Sequence, residues 1–193
     1  MNRNELEHII RAVGEIAGVE KIIILGSQSI LGQFPNFPEL ISQEDYSEIP
    51  LTIQSHEVLF RSIEVDIIIP ESEEKTEIVD AAIGELSSFH DTFGYYVQGV
   101  DYSTSKLPKG WKDRLVEICN ENTNDISGLC LEIHDLIISK LYAGRQKDID
   151  FFHAAVKLGL LSIETLTERL NLTPMSDELR LIIEKRMERG FSQ

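Results

Sequence analysis

The chain has 193 residues, of which 42% are hydrophobic, and its 33 acidic and 18 basic side chains give a formal net charge of −15. This composition supports one ordinary domain, or one domain with a small appended helical part. The acidic balance argues against extensive binding of nucleic acid or of anionic membranes, because both need clustered Lys and Arg side chains. A small anionic substrate is compatible with this negative charge, since a bound metal ion would make the local electrostatic potential positive.

The N-terminal sequence lacks the pattern of a signal peptide, and no apolar run approaches the length of a membrane span. We therefore expect a cytoplasmic protein that does not associate with membranes. In that compartment the two cysteines, Cys119 and Cys130, are expected to be reduced thiols.

The first predicted elements are an amphipathic helix capped by Asn4 and a buried strand over the β-branched run 21–25. The apolar run stops at Gly26-Ser27, and residues 29–34 favour a short helical turn. Backbone N–H groups at a strand-to-helix junction are unpaired, so the dipeptide is a candidate phosphate site. The alternative is an ordinary helix cap by Ser27.

Residues 35–55 hold three of the six prolines and predict a long loop, which suits a lid or a substrate loop. The next strand, SIEVDIIIP at 62–70, places Glu64 and Asp66 on one face. Two neighbouring carboxylates repel each other, and a hard divalent cation such as Mg²⁺ relieves that repulsion. The alternative is a solvated face of an edge strand.

The remaining sequence divides into an α/β part and a helical part. A helix is predicted at 73–86, and further strands are predicted at 94–100, 114–119 and 128–133. From Asp135 onward the periodicity is helical throughout. We therefore predict an α/β (α+β) fold with an α/β domain at residues 1–133 and a C-terminal helical region, residues 134–193, packed on it.

The order of these motifs resembles the polymerase-β-type nucleotidyltransferase superfamily, whose signature is Gly-Ser at a strand–helix turn followed by an acid-x-acid strand. The segment KLYAGRQKDID at 140–150 is similar to the AbiEii-like branch of predicted bacterial nucleotidyltransferase toxins. The chain also resembles a bacterial family of predicted nucleotidyltransferases, formerly a domain of unknown function. The similar stretches include GSQSILGQFPN, SIEVDIIIP and LPKGWKDRLVEI, and they span most of residues 21–152.

The resemblance implies a mixed sheet with flanking helices and an Mg²⁺- or Mn²⁺-dependent transfer of NMP from an NTP to a hydroxyl acceptor. The acceptor would be a protein side chain, a small molecule or an RNA end. The resemblance also implies a toxin–antitoxin or phage-defence setting, which would add a protein partner. The alternative function is a catalytically weak nucleotide-binding or protein-interaction module on the same fold.

The resemblance further implies two groups of site residues. The catalytic residues would be Glu64, Asp66, Lys140 and Asp148, with the first two as metal ligands. The nucleotide-binding residues would be Gly26, Ser27, Lys140, Arg145 and Lys147, which offer backbone N–H groups, a hydroxyl and three cations to the phosphates.

Two of the departures from the superfamily pattern concern the carboxylates. Glu64 stands where the first aspartate of the usual Asp-x-Asp is expected, and its extra methylene shifts the carboxylate. The superfamily also often adds a third carboxylate from a neighbouring strand. Asp101, Glu117 and Glu132 are the candidates for it, and none lies in a recognisable motif. Both departures favour the catalytically weak alternative.

Overall fold

The computed structural model describes residues 1–35, 57–70 and 72–192. Almost all of the predicted lid or substrate loop at 35–55 lies outside these residues. The helices and strands are α1 (Arg3–Ala17), β1 (Lys21–Ile24), α2 (Ile30–Gln33), β2 (Glu64–Ile68), α3 (Glu73–Ile83), α4 (Ser88–Phe93), β3 (Tyr96–Gly99), β4 (Val116–Ile118), β5 (Ser127–Cys130), α5 (Ile133–Ala143), α6 (Gln146–Lys157), α7 (Ile163–Asn171) and α8 (Asp177–Phe191).

The strands form one five-stranded mixed sheet in the order β3-β2-β1-β5-β4. The β1–β5 and β2–β3 pairs are parallel, whereas the β1–β2 and β4–β5 pairs are antiparallel. Strand β1 lies at the centre, and its three isoleucines are buried, as expected for a strand that is covered on both faces. The mixed sheet with flanking helices confirms the predicted α/β fold class.

Helix α1 packs its apolar face against the sheet. Its buried side chains include Leu6 and Ile10, and Ile10 lies so close to Gly128 of β5 that a Cβ at Gly128 would collide with it. The helix is capped by Asn2, which forms a reciprocal capping box with Glu5. The predicted cap at Asn4 is therefore wrong by two residues, because the first turn starts earlier than the apolar pattern indicates.

Helix α3 is shorter than the predicted helix at 73–86. It ends at Ile83, and Leu86 lies beyond it with a positive φ of 63° and 84% of its surface exposed. The buried face is formed by Val79 and Ile83. A short turn separates α3 from α4, so the apolar pattern alone overestimates the length of α3.

Helices α5 to α8 pack against one another around buried side chains that include Leu141, Phe152, Leu166 and Ile183. Helix α5 also contacts the 3₁₀ turn Ser27–Ser29 that follows β1, and this contact joins the helices to the sheet. The division of the chain into domains 1–133 and 134–193 stays a prediction.

Two further sequence expectations concern the cysteines and membrane association. Both cysteines are free thiols; Cys119 is exposed and Cys130 is buried. Across the described ranges, no helix is both long and apolar enough to cross a membrane.

A buried ion-pair cluster joins α5 to the loop before β4 and to α7. The Asp135 carboxylate is fully buried, accepts hydrogen bonds from the Arg114 guanidinium at 2.9 and 3.0 Å, and lies 3.3 Å from Arg169 Nε. We expect Asp135→Ala to lower the free energy of unfolding by about 3–5 kcal/mol, because Arg114 loses its counter-charge and Arg169, which keeps Glu168 at 2.8 Å, loses one of two. Urea denaturation measures the loss.

Asp91 is exposed and provides a matched control, since Asp91→Ala also removes an aspartate but breaks no buried ion pair. Asp91→Ala should change stability by less than about 0.5 kcal/mol. Equal effects of the two substitutions would contradict the assignment of the Asp135 cluster as a buried structural network.

Candidate active site

The acidic pair of β2 lies beside the end of β1. The backbone N–H of Leu25 donates a 3.0 Å hydrogen bond to the backbone carbonyl of Asp66. Val65 and Ile67 are fully buried in the core, so strand alternation directs Glu64 and Asp66 to the opposite, half-buried face. The predicted shared face is therefore present.

Gly26 allows the Gly26-Ser27 turn to approach the Asp66 carboxylate closely. A Cβ built on Gly26 would collide with Asp66 Oδ2 and lie 2.8 Å from Asp66 Cγ. Its φ of −79° is open to any residue, so the space and not the backbone conformation requires glycine. The bend after β1 and the Asp66 carboxylate thus face each other directly.

Ser27 begins the 3₁₀ turn, and its side chain does not cap that turn. The predicted alternative, an ordinary helix cap by Ser27, is therefore wrong. Its hydroxyl instead accepts a 2.8 Å hydrogen bond from Lys140 Nζ on α5. The turn itself is held by Ser29, whose Oγ donates to the Gly26 carbonyl at 2.8 Å. Ser27 therefore keeps its hydroxyl on the site side of the turn.

Asp148 connects the basic residues of the site. It lies in the first turn of α6, its side chain is 1% exposed, and its Oδ2 accepts a 2.7 Å hydrogen bond from Arg145 Nε. Its Oδ1 lies 3.5 Å from Lys140 Nζ. The Lys140 ammonium also lies 4.4 Å from the centre of the Phe151 ring. Asp148, which the family resemblance implied as a catalytic residue, therefore holds two cations in place.

All eight predicted site residues line one cleft of about 410 Å³, which we call the carboxylate cleft. They come from the end of β1, from β2, from α5 and from the start of α6. The set is Gly26, Ser27, Glu64, Asp66, Lys140, Arg145, Lys147 and Asp148. The structure thus brings together residues that lie up to 122 positions apart in the sequence.

The surroundings of the carboxylate pair raise the pKa values of Asp66 and of the neighbouring Tyr96. Burial, and then the charge and hydrogen bond of Glu64, raise the pKa of Asp66 to about 7, against smaller opposing effects of Lys140 and Lys147. The Tyr96 hydroxyl donates a 3.1 Å hydrogen bond to Glu64 Oε2, and burial together with Glu64 raises the pKa of Tyr96 to about 12. Near neutral pH the pair thus tends to retain a proton.

None of the three candidates for a third carboxylate lines the carboxylate cleft. Asp101 caps a 3₁₀ turn by accepting a hydrogen bond from the Ser103 backbone N–H at 2.6 Å. Glu117 lies on β4 at the far edge of the sheet and accepts a hydrogen bond from Ser127. Glu132 caps α5. These candidates are therefore wrong, because each carboxylate is used in local structure elsewhere.

Gln98 of β3 is a residue of the cleft that the sequence did not predict. It pairs in register with Asp66 on the neighbouring strand and lines the carboxylate cleft. The alternation of Tyr96 and Gln98 in the predicted strand was the available signal, but the pairing of β3 with β2 could not be read from it. Within the described parts of the chain, no group of three or more His, Cys, Asp or Glu side chains is arranged to hold a metal ion.

Comparison with known proteins identifies the family. A family model described as "Nucleotidyltransferase of unknown function (DUF6036)" matches residues 4–187, which is nearly the whole chain. No curated protein and no solved structure matches the chain. The match includes every residue of the carboxylate cleft. The chain therefore belongs to this family of nucleotidyltransferases of unknown function.

Proposed function

We propose that the protein transfers NMP from an NTP to a hydroxyl acceptor in the carboxylate cleft, with Mg²⁺ or Mn²⁺ as cofactor. The observation that carries the proposal is the contact of Gly26 with the Asp66 carboxylate inside a cleft that also contains three basic side chains. The turn that we propose to bind phosphate and the pair that we propose to bind the cation are thus adjacent, which transfer of a nucleotidyl group would require.

The acidic pair fits a divalent cation. Glu64 and Asp66 offer hard oxygen ligands, and burial together with the neighbouring Glu64 raises the pKa of Asp66, so a bound cation would favour the ionised carboxylate that the protein alone disfavours. When bound there, the cation would neutralise triphosphate charge and activate the acceptor hydroxyl. Glu64 and Asp66 are the two residues that would hold it.

The remaining cleft residues suit phosphate binding and positioning. The Ser27 hydroxyl and the backbone at Gly26 face the carboxylates, while Lys140 and Lys147 bring positive charge to the same space. Lys140 is a point charge whose position is fixed by Ser27 and Asp148. Asp148 is thus a positioning residue in this proposal, since it acts through Lys140 and Arg145.

Gln98 favours a second candidate function. An uncharged amide lies in register beside Asp66 on a neighbouring strand, and the resembled superfamily often supplies a third carboxylate from a neighbouring strand. An amide neither carries the charge of a carboxylate nor accepts a proton at neutral pH. The second candidate is therefore a nucleotide-binding or protein-interaction module with weak catalysis. The toxin–antitoxin or phage-defence setting and a protein partner belong to the proposal through the family resemblance alone, and the cytoplasmic location belongs to it through the sequence expectation given above.

Label transfer tests the proposed activity directly. The protein is incubated with each α-labelled NTP and Mg²⁺ or Mn²⁺, with and without cell extract as a source of acceptor. We expect transfer that EDTA abolishes and that Glu64→Gln reduces by at least about 100-fold, because one of two metal ligands loses its charge. Exposed Glu184 on α8 is the matched control, and Glu184→Gln should retain full transfer.

The two candidate functions give different results in this experiment. Metal-dependent NTP binding without transfer to any acceptor would support the catalytically weak module. Transfer that persists in Glu64→Gln would show that the acidic pair is not the metal site.

A further inference from the structure

A second cavity adjoins the carboxylate cleft and shares Lys140 with it. Its volume is about 380 Å³, and it is lined by Ser27, Val58, Arg61, Ser62, Lys140, Lys147, Asp150 and Phe151. We call it the basic cavity. It shares Ser27, Ser62, Lys140 and Lys147 with the carboxylate cleft, so the Lys140–Ser27 hydrogen bond forms part of both walls.

The two cavities differ in charge. The carboxylate cleft is lined by three acidic and three basic side chains, whereas the basic cavity is lined by three basic side chains and one acidic one. The acidic side chain is Asp150, which accepts a 2.8 Å hydrogen bond from Gln146. In a chain of net charge −15, this concentration of cations is a local reversal of the overall charge. An anion is therefore favoured in the basic cavity, and a divalent cation beside the carboxylates.

Two of these cations lack a direct anionic partner among the residues that the structure describes. Arg61 and Lys147 are exposed and form no hydrogen bond or ion pair with any residue that the structure describes. Lys140 and Arg145, in contrast, already share the Asp148 carboxylate. Arg61 precedes β2 by three residues, so the strand that presents the carboxylates also places a free guanidinium at the neighbouring cavity. A guanidinium suits bidentate contact with phosphate oxygens.

We propose that the basic cavity binds the β- and γ-phosphates of the NTP, with Arg61 and Lys147 as their ligands and the α-phosphate beside Ser27. The inference rests on the proposed function and adds Arg61, which the sequence did not identify as a site residue. It divides the substrate between the two cavities according to charge. The reacting phosphate lies near the carboxylate pair, and the rest of the triphosphate lies among the cations.

Calorimetric titration with inorganic tripolyphosphate and with orthophosphate, each in excess Mg²⁺, tests the basic cavity without a choice of base. We expect tripolyphosphate to bind at least about 10-fold more tightly than orthophosphate. Arg61→Gln and Lys147→Gln should each weaken tripolyphosphate binding by about 10-fold, the effect of losing one charge-assisted contact. Arg61→Lys should recover part of the loss. Lys21→Gln is the matched control, because Lys21 opens β1 at the end opposite to Gly26 and lines neither cavity.

Parallel titrations with the four NTPs separate this inference from the proposed function. Unchanged tripolyphosphate and NTP affinities in both Arg61→Gln and Lys147→Gln would overturn the assignment of the basic cavity and leave the proposed activity intact. A wild-type protein that binds neither tripolyphosphate nor any NTP would overturn both. Thermal unfolding confirms that each variant is folded; Arg61 and Lys147 are exposed, so their loss should leave the melting temperature unchanged.

Discussion

Asp66→Asn should stabilise the metal-free protein at pH 8 while it abolishes the response to Mg²⁺. Burial and the neighbouring Glu64 raise the pKa of Asp66 to about 7, from an ordinary value of 3.8. The ionised carboxylate is therefore disfavoured in the folded state, by at most about 4 kcal/mol above pH 7. Asparagine has nearly the same shape and no charge, so we expect the free energy of unfolding to rise by about 1–3 kcal/mol.

The sign of the pH dependence follows from the raised pKa of Asp66. Between about pH 4 and pH 7 the unfolded chain releases the Asp66 proton while the folded protein retains it, so this group makes stability fall as pH rises. Below pH 4 both states are protonated and the penalty disappears. The difference in stability between Asp66→Asn and the wild type should therefore be small at pH 4, grow through this window and level off above pH 7.

Urea denaturation at several pH values, with and without Mg²⁺, measures these effects. At a Mg²⁺ concentration 100 times the dissociation constant, the wild type should gain about 2.7 kcal/mol and Asp66→Asn almost nothing. Glu184→Gln, an exposed neutralisation on α8, should behave as the wild type. If Asp66→Asn lowered stability at pH 8, the Asp66 carboxylate would be held by favourable partners, and the conclusion that burial and Glu64 disfavour its ionised form would be wrong.

The sequence predicted the parts of the site that depend on local periodicity. Strand alternation alone placed Glu64 and Asp66 on one face, and the interruption of the apolar run at Gly26 located the strand-to-helix junction. Both features require only a few consecutive residues. They are therefore readable without knowledge of how the strands pair.

The features that the sequence could not provide depend on pairing and packing. Gln98 lies beside Asp66 because β3 pairs with β2 in parallel, and the chain order of the strands does not reveal this register. Glu117 lies at the far edge of the sheet because, among the described strands, β4 pairs only with β5, and this strand order cannot be read from the sequence. Likewise, Arg61 lines the basic cavity only because residues of α5 and α6 lie close to the turn at Ser27 and complete the walls of that cavity.

Gly26→Ala should cost the protein its activity while leaving it folded. A methyl group at Gly26 would occupy the space of the Asp66 carboxylate, with Asp66 Cγ at 2.8 Å and Cβ at 3.1 Å. Because the backbone φ of −79° is compatible with alanine, the carboxylate and not the turn must move. We expect overpacking to cost about 1–3 kcal/mol, and displacement of one metal ligand to reduce NMP transfer by at least about 100-fold.

A double-mutant cycle with Asp66→Ala isolates this steric cause. In the Asp66→Ala background the colliding Oδ2 and Cγ atoms are absent and only the Cβ remains near, at 3.1 Å, so Gly26→Ala should there cost much less than in the wild type. The coupling energy, measured by urea denaturation, should equal most of the cost of Gly26→Ala in the wild type. An unchanged cost in both backgrounds would place the strain elsewhere than at Asp66. The contact between the turn and the carboxylate, on which the proposed activity depends, would then have to be abandoned.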